Sequence, residues 1–364
     1  MKTSHAIENA TILELCKFLD ADKSKINAAF SSELDLQYIL GQLLFNRIGG
    51  VAYYTLRECG LLPEISKEFR NPLKMVYESS IEKTKSFLAA ENMLAELFKG
   101  LKADMALLKG AYLAQLYPKG LRISNDFDLL IKKHDIEDFS FLLLKSGFEQ
   151  GYLEDDVFKR AKRDEVIYAF MSQGGSVPFV KRIGLPQLEY MAIDVSFALG
   201  FQTAKNSESA NHLLQNTEKL IVTDHGLLPT LSKVLFLVHL CANLYKRAAT
   251  YDLVGKKRDI SLYRFCDIYL FITTFMHHDF AAELIDAIEE MDLHQECYFA
   301  LHHTRSLFGL HNKFLDAVLD TIQPEDLSFM NQVFDASTQK VFQYETDFSG
   351  YVFHANRMSL LKEV

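Results

Sequence analysis

The sequence predicts an α+β protein: a small mixed sheet set between an N-terminal helical region and a C-terminal helical bundle. Three observations carry that reading. Over residues 1–100, apolar side chains recur at three- and four-residue spacing with almost no strand signal. Between Ala103 and Leu199, short apolar runs punctuated by glycine and proline take over. From Leu227 onward helical periodicity returns. The expected divisions are 1–100, 101–200 and 201–364, with the sheet in the middle one.

In the first division Leu36, Ile39, Leu40, Leu43 and Leu44 form one helical face, and Gly49-Gly50 is expected to end that helix. Pro63 is expected to open another helix at its first turn. Tyr77, Ile81, Phe87, Leu88, Leu94, Leu97 and Phe98 then make one apolar stripe from Asn71 to Lys99, opposite Glu78, Lys83, Lys85 and Glu91. Such an amphipathic helix must cover something. In the middle division Ala103–Leu108 reads as a buried strand ending at Lys109-Gly110, and Ala111–Tyr117 as a short helix stopped by Pro118. Phe127–Lys132 follows as a strand and Ile136–Lys145 as a helix. Val166–Met171 and Tyr190–Phe197 are further strand candidates, joined by a Gly/Pro-containing connection, Gln173–Pro186. The last division offers helices at Leu231–Arg247, Leu262–Phe275, Phe280–Met291 and Leu293–Phe308, and two more beyond.

Composition removes several functions. A formal net charge of −9 argues against wholesale electrostatic binding to long nucleic acid or to an anionic membrane. The five cysteines (Cys16, Cys59, Cys241, Cys266, Cys297) are scattered and form no CxxC pair, so neither a disulfide framework nor a thiolate zinc site is expected. Met1–Asn9 is polar and unlike a signal peptide, and the longest apolar run, Val234–Ala242, is too short to span a membrane. The expected setting is the cytoplasm.

The chemistry concentrates around Lys109-Gly110 and Asp126-x-Asp128. Asp126 and Asp128 are two apart, so on a strand both carboxylates leave one face. Side by side they repel unless a cation joins them or one is protonated. Mg²⁺ suits the role, because it takes few carboxylates and fills its shell with phosphate oxygens. Gly110 lets backbone approach a phosphate, and Lys109 adds positive charge there. Arg122 and Ser124, just ahead of the acidic strand, are candidates for contact with a γ-phosphate or leaving pyrophosphate. Asp194, inside the apolar run Met191–Val195, would be costly unpaired and is the candidate third carboxylate. Glu189 is the fallback, but its odd offset places it on the opposite strand face. His239 and Asp267 stand in Leu- and Phe-rich helices, where a His–Asp staple between helices competes with nucleotide contact. Two basic clusters remain, Lys246, Arg247, Lys256, Lys257 and Arg258, and Lys159, Arg160, Lys162 and Arg163. Either could meet anions or be a solvated face.

The order Lys109-Gly110, Arg122, Asp126-x-Asp128, then Asp194 in a later apolar strand resembles the polymerase-beta-type nucleotidyltransferase superfamily. More closely, LLKGAYLAQLYP (107–118) with RISNDFDLLI (122–131) is similar to a group of bacterial uncharacterised nucleotidyltransferases. LFLVHLCANLYKR (235–247) and LYRFCDIYLFI (262–272) resemble the His- and Asp-containing helices of that group. The resemblance covers roughly residues 35–275. It implies a nucleotidyltransferase-type sheet and a Mg²⁺-dependent enzyme, with two ions held by Asp126, Asp128 and Asp194. The substrate would be a nucleoside triphosphate such as ATP, with phosphate contacts from Lys109, Gly110, Arg122 and Ser124. A nucleoside monophosphate would pass to a hydroxyl on a small molecule, peptide or protein, and pyrophosphate would leave. One departure stands out: Ala111 follows Gly110 where the superfamily usually has serine or glycine. It keeps open an alternative, a catalytically degenerate nucleotide- or partner-binding protein.

Overall fold

A computed structural model describes residues 5–101, 103–155, 157–172, 174–197, 211 and 213–364. Its contacts divide the chain into two compact units, Met1–Tyr77 with Leu237–Val364, and Glu78–Phe236. Residues 1–77 and the helices after Leu237 fall in one unit, whereas 78–100 falls with the sheet, and the boundary expected at 200/201 lies outside the described residues.

The unit from Glu78 to Phe236 is built on a six-stranded mixed sheet, as the α+β reading requires. Its strands are β1 (Met105–Leu108), β2 (Asp126–Ile131), β3 (Glu149–Glu154), β4 (Val157–Arg160), β5 (Phe179–Leu185) and β6 (Leu188–Ser196). The spatial order is β1-β2-β6-β5-β3-β4; β2 and β6 run parallel and the other neighbours antiparallel. The alternation of β2 explains its place. Phe127 points to one face, where it is almost wholly buried and stacks on Phe87 of the helix Lys67–Leu97 at 4.3 Å between centroids. The neighbouring Asp126 and Asp128 point to the other face. The amphipathic helix therefore covers the side of the sheet away from the carboxylates. Ser86 Oγ fastens it by donating to the Pro186 carbonyl at 2.6 Å. A separate hairpin, β7 (Thr217–Thr223) and β8 (Gly226–Leu231), supports β1: the buried Thr230 hydroxyl donates to the Leu107 carbonyl at 2.6 Å.

Several expectations need correction here. Val166–Met171 is helical, within Arg163–Ser172. Its β-branched and aromatic residues suggest a strand, but Glu165 accepts from the Lys162 backbone N–H at 2.6 Å, the returning half of a capping box, and starts a helix. The connection Gln173–Pro186 contains β5, hidden by the glycines and prolines around it; Gln173 itself lies outside the described residues. Strands β3 and β4 went unread because most of their residues are exposed, which leaves no buried face to set an apolar alternation.

The other unit is mainly helical. Leu36–Phe45 and Gly49–Glu58 are separate helices, so Gly49-Gly50 opens the second rather than closing the first. No helix starts at Pro63; the next begins at Lys67. Leu262–Phe275, Ala281–Met291, His294–Phe308 and Lys313–Ile322 follow the expected course. A three-stranded sheet not expected from sequence lies near the C-terminus, formed by β9 (Gln332–Asp335), β10 (Lys340–Tyr344) and β11 (Leu361–Glu363). Arg357 fixes this region. It donates to both carboxylate oxygens of Asp259 at 2.9 and 3.0 Å, and to the Ile260, Tyr351 and Val352 carbonyls. Among the described residues, no helix is long and apolar enough to cross a membrane.

Candidate functional site

The register of the three strands β1, β2 and β6 assembles the site. Leu108, the last residue of β1, pairs with Asp128, and Asp128 pairs on its other side with Asp194. Residues opposed across a ladder share a face, and Asp126 joins them by the two-residue repeat. One face of one sheet end thus carries Asp126, Asp128 and Asp194.

Lys109 follows directly on β1 and turns back over them. Its Nζ lies 2.8 Å from Asp128 Oδ1, with both side chains about one-fifth exposed (21% each). Its backbone, at φ 43° and ψ −106°, is close to the first central position of a type II′ turn, which favours glycine. A lysine there costs about 1–3 kcal/mol of strain and stays only because its surroundings hold it. The next residue has to be glycine for a different reason. A Cβ at Gly110 would lie 2.2 Å from Ser124 Oγ and 2.8 Å from Ser124 Cβ. Ser124 is thus packed onto the turn, and the buried Arg122 donates to its Oγ at 3.3 Å. Thr84 Oγ1 reaches the Arg122 carbonyl at 3.2 Å from the supporting helix.

The electrostatics show charge crowding. Burial, then the charges of Asp128 and Asp126, push the Asp194 carboxyl up to about 7, and Lys109 pulls in the other direction. Asp126 is raised as well, by loss of hydration and then by Asp128, against Lys109 and Arg122. Asp126 keeps exposed surface, so its desolvation is incomplete and the neighbouring charge is the firmer cause. Two adjacent strands therefore hold acids that favour protonation unless a cation joins them.

The seven residues named from sequence for metal and phosphate (Lys109, Gly110, Arg122, Ser124, Asp126, Asp128 and Asp194) fall in this neighbourhood. The structure places Arg122 and Ser124 beneath the Gly110 turn, both only 8% exposed. Glu189 lies apart, paired with Arg182 on the sheet surface. Lys159 and Arg160 pair with Glu154 and Glu149. His239 and Asp267 are buried in the helical unit, as members of the unit that also holds Lys246, Arg247, Lys256, Lys257 and Arg258. Sequence reasoning missed Thr84 and Thr230, which brace the site through single hydroxyls. No spacing pattern connects Thr84 to the Arg122 carbonyl or Thr230 to the Leu107 carbonyl that each bonds.

Among the described residues, no group of three or more His, Cys, Asp or Glu is placed to hold a metal ion, so the three acids Asp126, Asp128 and Asp194 do not form a ready three-ligand site. The donor chemistry still fits a hard cation that brings oxygen ligands of its own. Mg²⁺ is commonly held by one or two carboxylates and completed by substrate phosphates. Asp126 and Asp128 offer that pair, with Asp194 adjoining.

One comparison with known proteins shows the family. A family model described as uncharacterised nucleotidyltransferase matches residues 32–309. The chain belongs to that family. Among solved structures, an antigenic nucleotidyltransferase-like protein from Paracoccidioides brasiliensis aligns with 59% of this chain and 92% of its own, at 16% identity and a TM-score of 0.32. No curated protein matches.

Proposed function

We propose that this member of the uncharacterised nucleotidyltransferase family moves a nucleoside monophosphate from a Mg²⁺-bound nucleoside triphosphate to an acceptor hydroxyl. The observation that carries the proposal is the register Leu108–Asp128–Asp194, which gathers three carboxylates beside the Lys109-Gly110 turn. The resemblance to the polymerase-beta-type superfamily belongs to the same proposal and rests on the same residues.

Asp126 and Asp128 would hold the cation, with Asp194 at its acceptor side. When bound, Mg²⁺ supplies charge neutralisation for the triphosphate and acidifies an acceptor hydroxyl. The acceptor oxygen attacks the α-phosphorus, the bond from that phosphorus to the bridging oxygen breaks, and pyrophosphate leaves with the electron pair. Asp194, the third carboxylate of the group, would take the acceptor's proton. Gly110 gives phosphate oxygens close access to backbone, and Lys109 would balance their charge. Arg122 and Ser124 would act on phosphate chiefly through the turn they brace. Ser124 also bears on the departure at Ala111. Ala111 is wholly buried, whereas the Ser124 hydroxyl lies against Gly110. Ser124 would supply the polar group that position 111 lacks.

A small molecule, peptide or protein fits the acidic chain better than long nucleic acid. All five cysteines are buried and free of disulfides, which supports a reducing, cytoplasmic setting. The test is transfer of label from ATP and the other triphosphates, each labelled at the α-phosphate, in cell lysate with and without Mg²⁺. A labelled product and free pyrophosphate are expected with wild type and not with the Asp126→Ala, Asp128→Ala double variant. Mg²⁺-independent nucleotide binding that survives both substitutions would favour a binding protein without turnover.

A further inference from the structure

The ion pair between Lys109 and Asp128 sets the terms on which a metal can enter. Asp128 is the middle carboxylate of the three, register partner to Asp194 and two residues from Asp126. A cation held between β2 and β6 at this register pair would take its oxygens, and Lys109 Nζ is on Oδ1 at 2.8 Å. The ammonium is not there by the drift of a long side chain. Its backbone leaves β1 at the register partner of Asp128, in a strained conformation next to a glycine that Ser124 packs against. We propose that Lys109 is a built-in counter-cation, exchanged from Asp128 to the triphosphate when nucleotide binds, so that metal enters with the nucleotide and not before it.

The physical argument rests on the proposed reading of this site and goes one step further. Mg²⁺ sheds water reluctantly and gains little from two carboxylates of which one is already engaged. A triphosphate changes both sides of the exchange. It carries oxygens for the metal, and it offers the ammonium an anionic partner within reach of the same turn. Lysine suits the exchange because its charge is compact and its stem flexible, whereas a guanidinium fork favours one fixed bidentate partner. Linkage then makes the effect reciprocal: whatever nucleotide adds to metal affinity, metal adds to nucleotide affinity.

The test is a Mn²⁺ titration of the full chain without nucleotide, followed by electron paramagnetic resonance, for wild type, K109M, K109Q and K109R. Circular dichroism melts establish which variants fold, and two neutral variants guard against the loss of one. Both neutral variants are expected to bind Mn²⁺ at least about tenfold more tightly than wild type, the scale of one charge-assisted hydrogen bond released. Adding D128N should abolish that gain, and K109R should stay with wild type. Neutral variants that bind no more tightly, or a wild type that binds as tightly as they do, would overturn the proposal. The outcome separates from that of the proposed activity. A wild type that releases pyrophosphate while K109M and K109Q gain nothing keeps the activity and loses the exchange. A chain that transfers no label yet shows the gain keeps the exchange and loses the activity.

Discussion

Asp259 and Asp128 are both carboxylates held inside folded protein against a cationic side chain, and they are built on opposite terms. Asp259 is 4% exposed and meets a guanidinium that is 5% exposed and whose remaining N–H groups are spent on backbone carbonyls. Charge and hydrogen-bond geometry match there. Asp128 meets the Lys109 ammonium, and Asp126 and Asp194 crowd the same place on this and the adjoining strand. The first arrangement is a fastening, complete as it stands. The second is incomplete in charge, which is the condition for taking up a cation and its anionic ligand.

The two sites should therefore answer in opposite ways when their acids or bases are removed. The largest effect is expected for Asp128→Asn. Label transfer should fall by about a thousandfold or more, about 4 kcal/mol in the barrier, with no loss of thermal stability because a like-charge conflict is relieved. Single-turnover kinetics and a melting curve check both halves. Arg357→Ala should do the reverse and cost about 3–5 kcal/mol of stability in urea denaturation, because it strands the buried Asp259 carboxylate. Sparing the stability would make Asp259 a second crowded acid rather than a fastening.

Glu91 is an intermediate case. It is 1% exposed, with one oxygen accepting from Gln115 Nε2 at 2.9 Å and the other without a hydrogen-bond partner among the described residues. Burial pushes its carboxyl from 4.5 to about 8. The folded state then keeps a proton that the unfolded chain releases, so stability is fully present below about pH 4.5 and is lost as pH rises towards about 8. The slope should be at most about 1.4 kcal/mol per pH unit. Glu91→Gln should flatten it, as seen in urea denaturation at a series of pH values. A slope unchanged in the variant would assign the effect to other groups. The smallest effect belongs to Gly110→Ala, where displacing Ser124 should cost about 1–3 kcal/mol and weaken triphosphate binding. Combining it with Ser124→Gly should restore part of both in calorimetry.

The same contrast marks how far the sequence could be read. Strands β1, β2 and β6 are buried on at least one face, and their apolar runs, interrupted by Asp126, Asp128 and Asp194, declare the strands and mark the acids that the register brings side by side. Burial is what imposes a pattern. Strands β3 and β4 lie mostly in solvent and carry no apolar alternation, although Glu154 pairs with Val157 in an ordinary antiparallel ladder. Helix Arg163–Ser172 misleads in the other direction, because Glu165 settles locally what Val166, Ile167 and Tyr168 suggest otherwise. The ion pair at Asp259 was beyond reach for a further reason: its partner lies 98 residues along the chain, and no period links the two.

The position of Arg357 has a practical consequence for anyone cutting this chain down. The family match ends at residue 309, a natural place to truncate. Truncation there would discard the partner of a buried acid near the middle of the helical unit. It would also discard the Phe353 carbonyl that accepts from the buried Gln42 amide at 2.8 Å. The shared ancestry recorded by the family ends before the cooperative unit does. A minimal version of this protein has to be cut by its hydrogen bonds rather than by its homology.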